Sequence, residues 1–167
     1  MKKIQGVVVG VVQDLNDPQR EGRIKVRYPW LEGEPQSAWA PIATPFAGRR
    51  RGAWWMPEPG DECLVAFEQG DFNHPFVVGF LWNGVDPPPS SDPRVRLFSS
   101  LNGHKIEIYD PDASSGDQGY ILIEDAHGNS IELSNAAINI RGVGAIDIRA
   151  PIVTINGRPV APVPQPI

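Results

Sequence analysis

The sequence is short of what several kinds of site require. Cys63 is the only cysteine, so neither an internal disulfide nor a cysteine-built zinc site is available. It heads the alternating run Leu64 to Phe67 and reads as a small core hydrophobe. An excess of basic charge is also missing. The formal net charge is -5 and the pI about 5.1, which opposes nonspecific binding to phosphate backbones. No apolar run approaches the roughly 18 residues of a membrane helix. The segment "IQGVVVGVV" after Lys2 and Lys3 imitates a signal peptide only in part. It is short, contains Gln5, and leads into "QDLNDP" with no small-residue cleavage site. It reads as a first strand, and the expectation is synthesis in the bacterial cytoplasm without a signal peptide. Helical periodicity is nearly absent as well, because Pro or Gly interrupts almost every window.

What is present is β-patterned. The chain has 17 Gly and 18 Pro, spread between strand-like runs, where they act as turn formers. After the first strand, "NDPQREG" is a turn, and "RIKVRYPW" places Ile24, Val26 and Tyr28 on one face. "SAWAPIATPF" is expected as a third strand, with Pro41 and Pro45 at an edge or bend. "AGRRRGAWWMPEPG" is a loop, and "DECLVAFEQG" and "HPFVVGFLW" are strands joined over "GDFN". Five short strands with a long loop after the third suggest a small OB-type barrel over residues 1–85. Residues 86–93, with three consecutive prolines, read as a linker.

A different pattern follows over 94–157. "SIELS" (130–134), "AINIR" (137–141), "AIDIR" (145–149) and "IVTIN" (152–156) each set two apolar residues two apart around a polar one. Their leading positions, 131, 138, 146 and 153, step by seven or eight, the mark of a repetitive β-structure. "HKIEIYD" and "YILIED" show the same alternation at looser spacing. Such strands give one sheet with one apolar side and no second sheet to cover it. The expectation is that three chains share that side, burying Ile131, Leu133, Ile138, Ile140, Ile146, Ile148, Val153 and Ile155 about a common axis. Each buried Ile adds roughly 1.5–3 kcal/mol. A single-chain solenoid is the alternative. Polar residues such as Glu132, Asn139, Asp147 and Arg149 are expected to face water.

The two halves together resemble a known family. "NDPQREGRIKVRYPW", "SAWAPIATPFAG" and "WWMPEPGDECLVAFEQGDFNHPFVVGFLWNG" are similar to the OB domain of phage baseplate assembly protein V and VgrG-type spike proteins. Gly22-Arg23, Pro29-Trp30, Trp39, Pro59-Gly60-Asp61-Glu62, Gly70-Asp71, Val78-Gly79 and Trp82-Asn83 carry the likeness. "LNGHKIEIYD … YILIEDAHGNSIELS" resembles the start of their β-helical spike. The resemblance implies an all-β chain, an OB barrel followed by an intertwined triple-stranded β-helix. It implies the homotrimeric central spike of a contractile injection machine, contacting a target membrane mechanically and assembled in a phage tail baseplate or injection particle. A separate hub protein is expected at the OB end, faced by Arg49, Arg50, Arg51, Trp54 and Trp55. A PAAR-like tip protein is expected at the other end, on Asn156, Arg158, Pro159, Val160 and Pro162 of the proline-rich segment 158–167. The expectation is that no hub domain precedes Met1; no lysozyme-like insert interrupts the linker, and no HxH pair stands near residue 167. The iron-bound apex of some relatives is therefore not carried over.

Chemistry-bearing residues have plainer readings. Asp61, Glu62, Glu68 and Asp71 suggest a glycosidase pair, but they stand in turns and on solvated strand faces. His74, His104 and His127 lie far apart in sequence, each beside a turn. The expectation is no enzyme, no cofactor, no metal and no nucleic acid. The competing reading is an OB module gripping single-stranded nucleic acid or a glycan, with Arg49–Arg51 beside the two tryptophans as its grip.

Overall fold

A computed structural model of the chain describes residues 3–33 and 35–160. It divides into two compact units, Met1–Pro88 and Pro89–Ile167.

In the first unit, the strands are β1 (Val7–Asp14), β2 (Lys25–Arg27), β3 (Ala47–Gly48), β4 (Arg51–Gly52), β5 (Glu62–Phe67) and β6 (Pro75–Leu81). Runs of Val and alternating apolar residues favour extended backbone here. One antiparallel sheet has the order β2-β1-β5-β6, and β3 with β4 forms a separate hairpin. Gly10 lies where β2 crosses β1; a Cβ there would strike the Val26 side chain. The turn from β1 to β2 is clamped by Asp17, whose carboxylate accepts from Gln19 N–H (3.1 Å), Glu21 N–H (2.8 Å), Arg23 Nε (3.1 Å) and an Arg23 terminal nitrogen (2.7 Å). The Arg23 guanidinium, followed by the backbone donors, holds that carboxyl well below the usual carboxylate range.

The expected third strand forms no ladder. Residues 36–43 make only isolated bridges, Arg27 with Gln36, Ile24 with Ala40 and Ile42 with Val77. Pro41 has no N–H to donate, and Pro45 interrupts again. The segment nevertheless closes the barrel: Val77 N–H donates to the Pro41 carbonyl (2.9 Å), and Ala43 N–H to the Val77 carbonyl (2.8 Å). Val12, Ile24, Val26, Tyr28, Ala40, Cys63, Val65 and Val77 are each at most 2% exposed, which makes this a packed core. Fully burying each large apolar side chain is worth about 1.5–3 kcal/mol. Tyr28, Phe67 and Phe72 close one end, with ring centroids 5.3–5.9 Å apart.

The second unit contains β7 (Val95–Ser99), β8 (Lys105–Tyr109), β9 (Tyr120–Glu124), β10 (Ser130–Ser134) and β11 (Ala137–Arg141). They form one antiparallel meander in sequence order. The β9–β10 turn is built on Asp125, which accepts from His127 N–H (2.9 Å), Asn129 N–H (2.9 Å) and Asn129 Nδ2 (2.7 Å). Gly128 completes the turn at φ +89°, a conformation that favours glycine.

Two expectations fail beyond β11. "AIDIR" at 145–149 forms no strand, and "IVTIN" contributes only β12 (Thr154–Ile155). After β11 the chain turns at Gly142–Gly144, and 145–149 has no ladder partner among the described residues. Pairing resumes briefly before the proline-rich end. β13 (Arg158–Pro159) pairs with β12, and Val160 N–H donates to the Val153 carbonyl (2.7 Å). Pro159 is tolerated because it lies on an edge. The triple-stranded β-helix is not visible in one chain, whose strands make a meander.

Candidate functional site

The period-two pattern of the meander sorts its residues onto two unlike faces. On one face, cross-strand registers line up two apolar rows. Phe98, Ile106, Ile123, Ile131 and Ile140 form the first. Ile108, Ile121, Leu133 and Ile138 form the second, continued on β7 by Arg96. Directly opposed side chains of this kind pack against one another within the sheet. Their outer surfaces remain open: exposure runs from 40% at Ile108 to 71% at Ile138. A soluble monomer rarely leaves so contiguous an apolar surface uncovered.

The opposite face sets Leu97 and Leu122 beside a group of polar side chains that are tied together. Lys105 lies 3.2 Å from both Glu107 and Glu124, and the Tyr120 hydroxyl donates to Glu107 at 2.6 Å. That bond pushes the Tyr120 hydroxyl up to about 12 and draws Glu107 below its ordinary value. The rings of Tyr109 and Tyr120 meet alongside at a tilt, with centroids 5.4 Å apart. Glu132 and Asn139 pair on this side, as the alternation requires.

The structure thus gathers Ile131, Leu133, Ile138 and Ile140 on one surface. Ile146, Ile148 and Val153 lie in the irregular stretch after β11, and Ile155 lies in the β12–β13 hairpin. Sequence reasoning missed Phe98, Ile106, Ile108, Ile121 and Ile123 as members of the same stripe. The alternation of Ile106, Ile108, Ile121 and Ile123 is legible in the sequence, but their looser spacing left them outside the expected shared core. Asp147 and Arg149 form an exposed ion pair. Asn156 and Arg158 flank the β12–β13 turn, Pro159 and Val160 follow them, and Pro162 lies outside the described residues.

The histidines require a correction. His104 and His127, distant in sequence, stack with ring centroids 6.3 Å apart, because the β7–β8 and β9–β10 turns lie at the same end of the sheet. His104 Nδ1 accepts from Ala126 N–H at 3.2 Å. In the first unit, His74 Nδ1 lies 3.1 Å from Asp71. Of the acidic candidates, Asp61 and Asp71 are occupied as turn formers, and Glu62 opens β5. Asp61 accepts from Glu58 N–H (2.9 Å), and Asp71 accepts from Asn73 N–H (3.0 Å), which is the main cause of its lowered pKa.

In the first unit, Arg49 and Arg50 form the tip of the β3–β4 hairpin, with Arg50 at φ +57°. Trp54 and Trp55 follow it and are 73% and 59% exposed. Among the described residues no helix is long and apolar enough to cross a membrane.

Comparison with known proteins bears on both units. Residues 8–82 match the family model of the type VI secretion system/phage-baseplate injector OB domain. Residues 95–160 match that of the phage baseplate V C-terminal trimerisation domain. The chain is similar to the type VI secretion system spike protein VgrG1a of Pseudomonas aeruginosa, 26% identical over 147 residues, covering 80% of this chain and 23% of that protein. It is similar to VgrG4b of the same organism, 31% identical over 131 residues, covering 73% of this chain and 15% of the relative. With VgrG3 of Vibrio cholerae it shares 32% identity over 84 residues, 48% of this chain and 8% of the relative. The chain therefore spans less than a quarter of the length of these curated relatives.

Proposed function

The chain belongs to the phage baseplate V family of injector spike components, and on that premise we propose that three copies form the central spike of a contractile injection machine. The open apolar face of the β7–β11 meander carries the reading. Two rows of Ile, Leu and Phe are exposed on one side of a single sheet that no other described element of the second unit covers. Three copies closing a prism around those rows remove them from water at roughly 25 cal/mol per Å². The family's trimerisation domain matches this same region.

In the assembly, the ion-paired face around Lys105, Glu107 and Tyr120 is the solvent side. Ile146, Ile148, Val153 and Ile155, which find no ladder partner or only a short one among the described residues, are completed by neighbouring copies in a triple-stranded β-helix. The work of such a spike is mechanical: ladders and a dry axis pass force from a hub to a target envelope. The N-terminal barrel docks on the hub through the Arg49–Trp55 loop, and the β12–β13 end, with Asn156 and Arg158, seats a tip protein. The reading needs no chemical step.

The apolar rows are tested by charge. Ile121→Asp with Ile123→Asp places carboxylates on the axis without touching the barrel core. Sedimentation velocity is expected to report single chains for this variant and trimers for Glu132→Gln on the opposite face. Unchanged assembly of the double variant would refute the proposal.

A further inference from the structure

The first unit carries a second open surface, and its chemistry names the class of its occupant. A groove of about 750 Å³ runs beside the β3–β4 hairpin, lined by Pro41, Ile42, Pro45, Phe46, Trp54 and Met56 among others. Its rim is rigid. The Thr44 hydroxyl donates to the Ala53 carbonyl (2.8 Å), and Ala53 N–H donates to the Phe46 carbonyl (3.1 Å). Trp54 is largely exposed yet seated, since its ring lies over Gly22 so closely that a Cβ at Gly22, at φ +73°, would fall 2.9 Å from it. An indole held in place before binding loses little entropy on contact.

Charge is concentrated at the same spot. Arg49, Arg50 and Arg51 are exposed and make no ion pair among the described residues. Elsewhere the arginines Arg23, Arg94, Arg96 and Arg149 each have a carboxylate partner. Three adjacent unneutralised cations on a chain of net charge -5 are a local reversal of sign. Trp and Arg are also the side chains that most often dominate interface energies.

We propose that this groove and hairpin bind an acidic, apolar segment of a second protein, with large apolar side chains in the groove and Asp or Glu against the arginines. The proposal rests on the reading that the N-terminal unit docks on a hub, and it gives that contact its chemistry. Single-stranded nucleic acid fits less well. The cations sit at one hairpin tip rather than along a track that could follow a phosphate backbone.

The test uses the full chain and a random dodecapeptide library. Selection on the wild type is expected to enrich peptides with Asp or Glu beside Leu, Phe or Trp. The enriched peptide is then titrated by tryptophan fluorescence. Arg49→Glu with Arg51→Glu should weaken it roughly tenfold or more, and Trp54→Ala by a similar factor. Circular dichroism of each variant checks that the fold is kept. Enrichment of basic or uncharged peptides, no enrichment, or equal affinity for the charge-reversed variant would each overturn the proposal. So would oligothymidylate binding more tightly than the best peptide, which would establish the nucleic-acid reading instead. Trimer mass does not depend on this hairpin, so failure here leaves the spike reading to its own test.

Discussion

Cys63 shows how one side chain reports on the barrel. It is fully buried between β1 and β6, and burial, more than the nearby carboxylates Asp61 and Glu62, pushes its thiol up to about 12. The thiolate is the reactive form. A thiol reagent at neutral pH is therefore expected to leave the native protein unmodified and to label one thiol per chain in denaturant; rapid native labelling would contradict the packing. Asp125 makes the complementary prediction in the second unit. Hydrogen bonds from Asn129, followed by His127 N–H, lower its carboxyl from 3.8 to about 2. A lowered folded value means the charged form is favoured by the fold. The contribution to the β9–β10 turn is fully present above about pH 4 and is lost as pH falls toward 2. A carbon-detected NMR titration of the Asp125 carboxyl should show the low midpoint, and an ordinary one would refute the clamp. These roles were only half legible: the burial of Cys63 follows from alternation, whereas the Asp125 acceptor set depends on turn geometry that residue identity does not reveal.

Elements were legible where one period ran undisturbed. The barrel strands β1, β5 and β6 follow from Val-rich alternation between turns, and Ile24, Val26 and Tyr28 line the core as their spacing implies. Residues 37–46 misled, because their composition is strand-like while Pro41 and Pro45 limit them to single bridges. The regular step of seven or eight also misled. It drew attention to 145–149, which finds no partner among the described residues, and away from β7, β8 and β9, whose longer connections broke the step. One of those connections carries its own prediction. Gly119 enters β9 at φ +77°, and a Cβ there would overlap the Tyr109 carbonyl oxygen. Gly119→Ala is expected to destabilise the second unit by more than about 1 kcal/mol through strain and loss of the β8–β9 register. Thermal unfolding of the variant measures this, and an unchanged midpoint would contradict it.

For the whole molecule, the division of labour follows from where apolar surface is hidden. The barrel encloses its own core around Tyr28 and Val65. The meander does not, and it leaves Ile106, Ile108, Ile121 and Ile123 facing outward. A sheet with one such face is half of a structure, and the same residues match the model of a C-terminal trimerisation domain. That incompleteness was visible in the alternation; the identity of hub and tip was not, because those contacts depend on other chains. The most direct measurement is the mass of the purified protein in solution by light scattering at low micromolar concentration. The account predicts three times the 18.3 kDa chain mass, unchanged on dilution; a folded species of single-chain mass would contradict it.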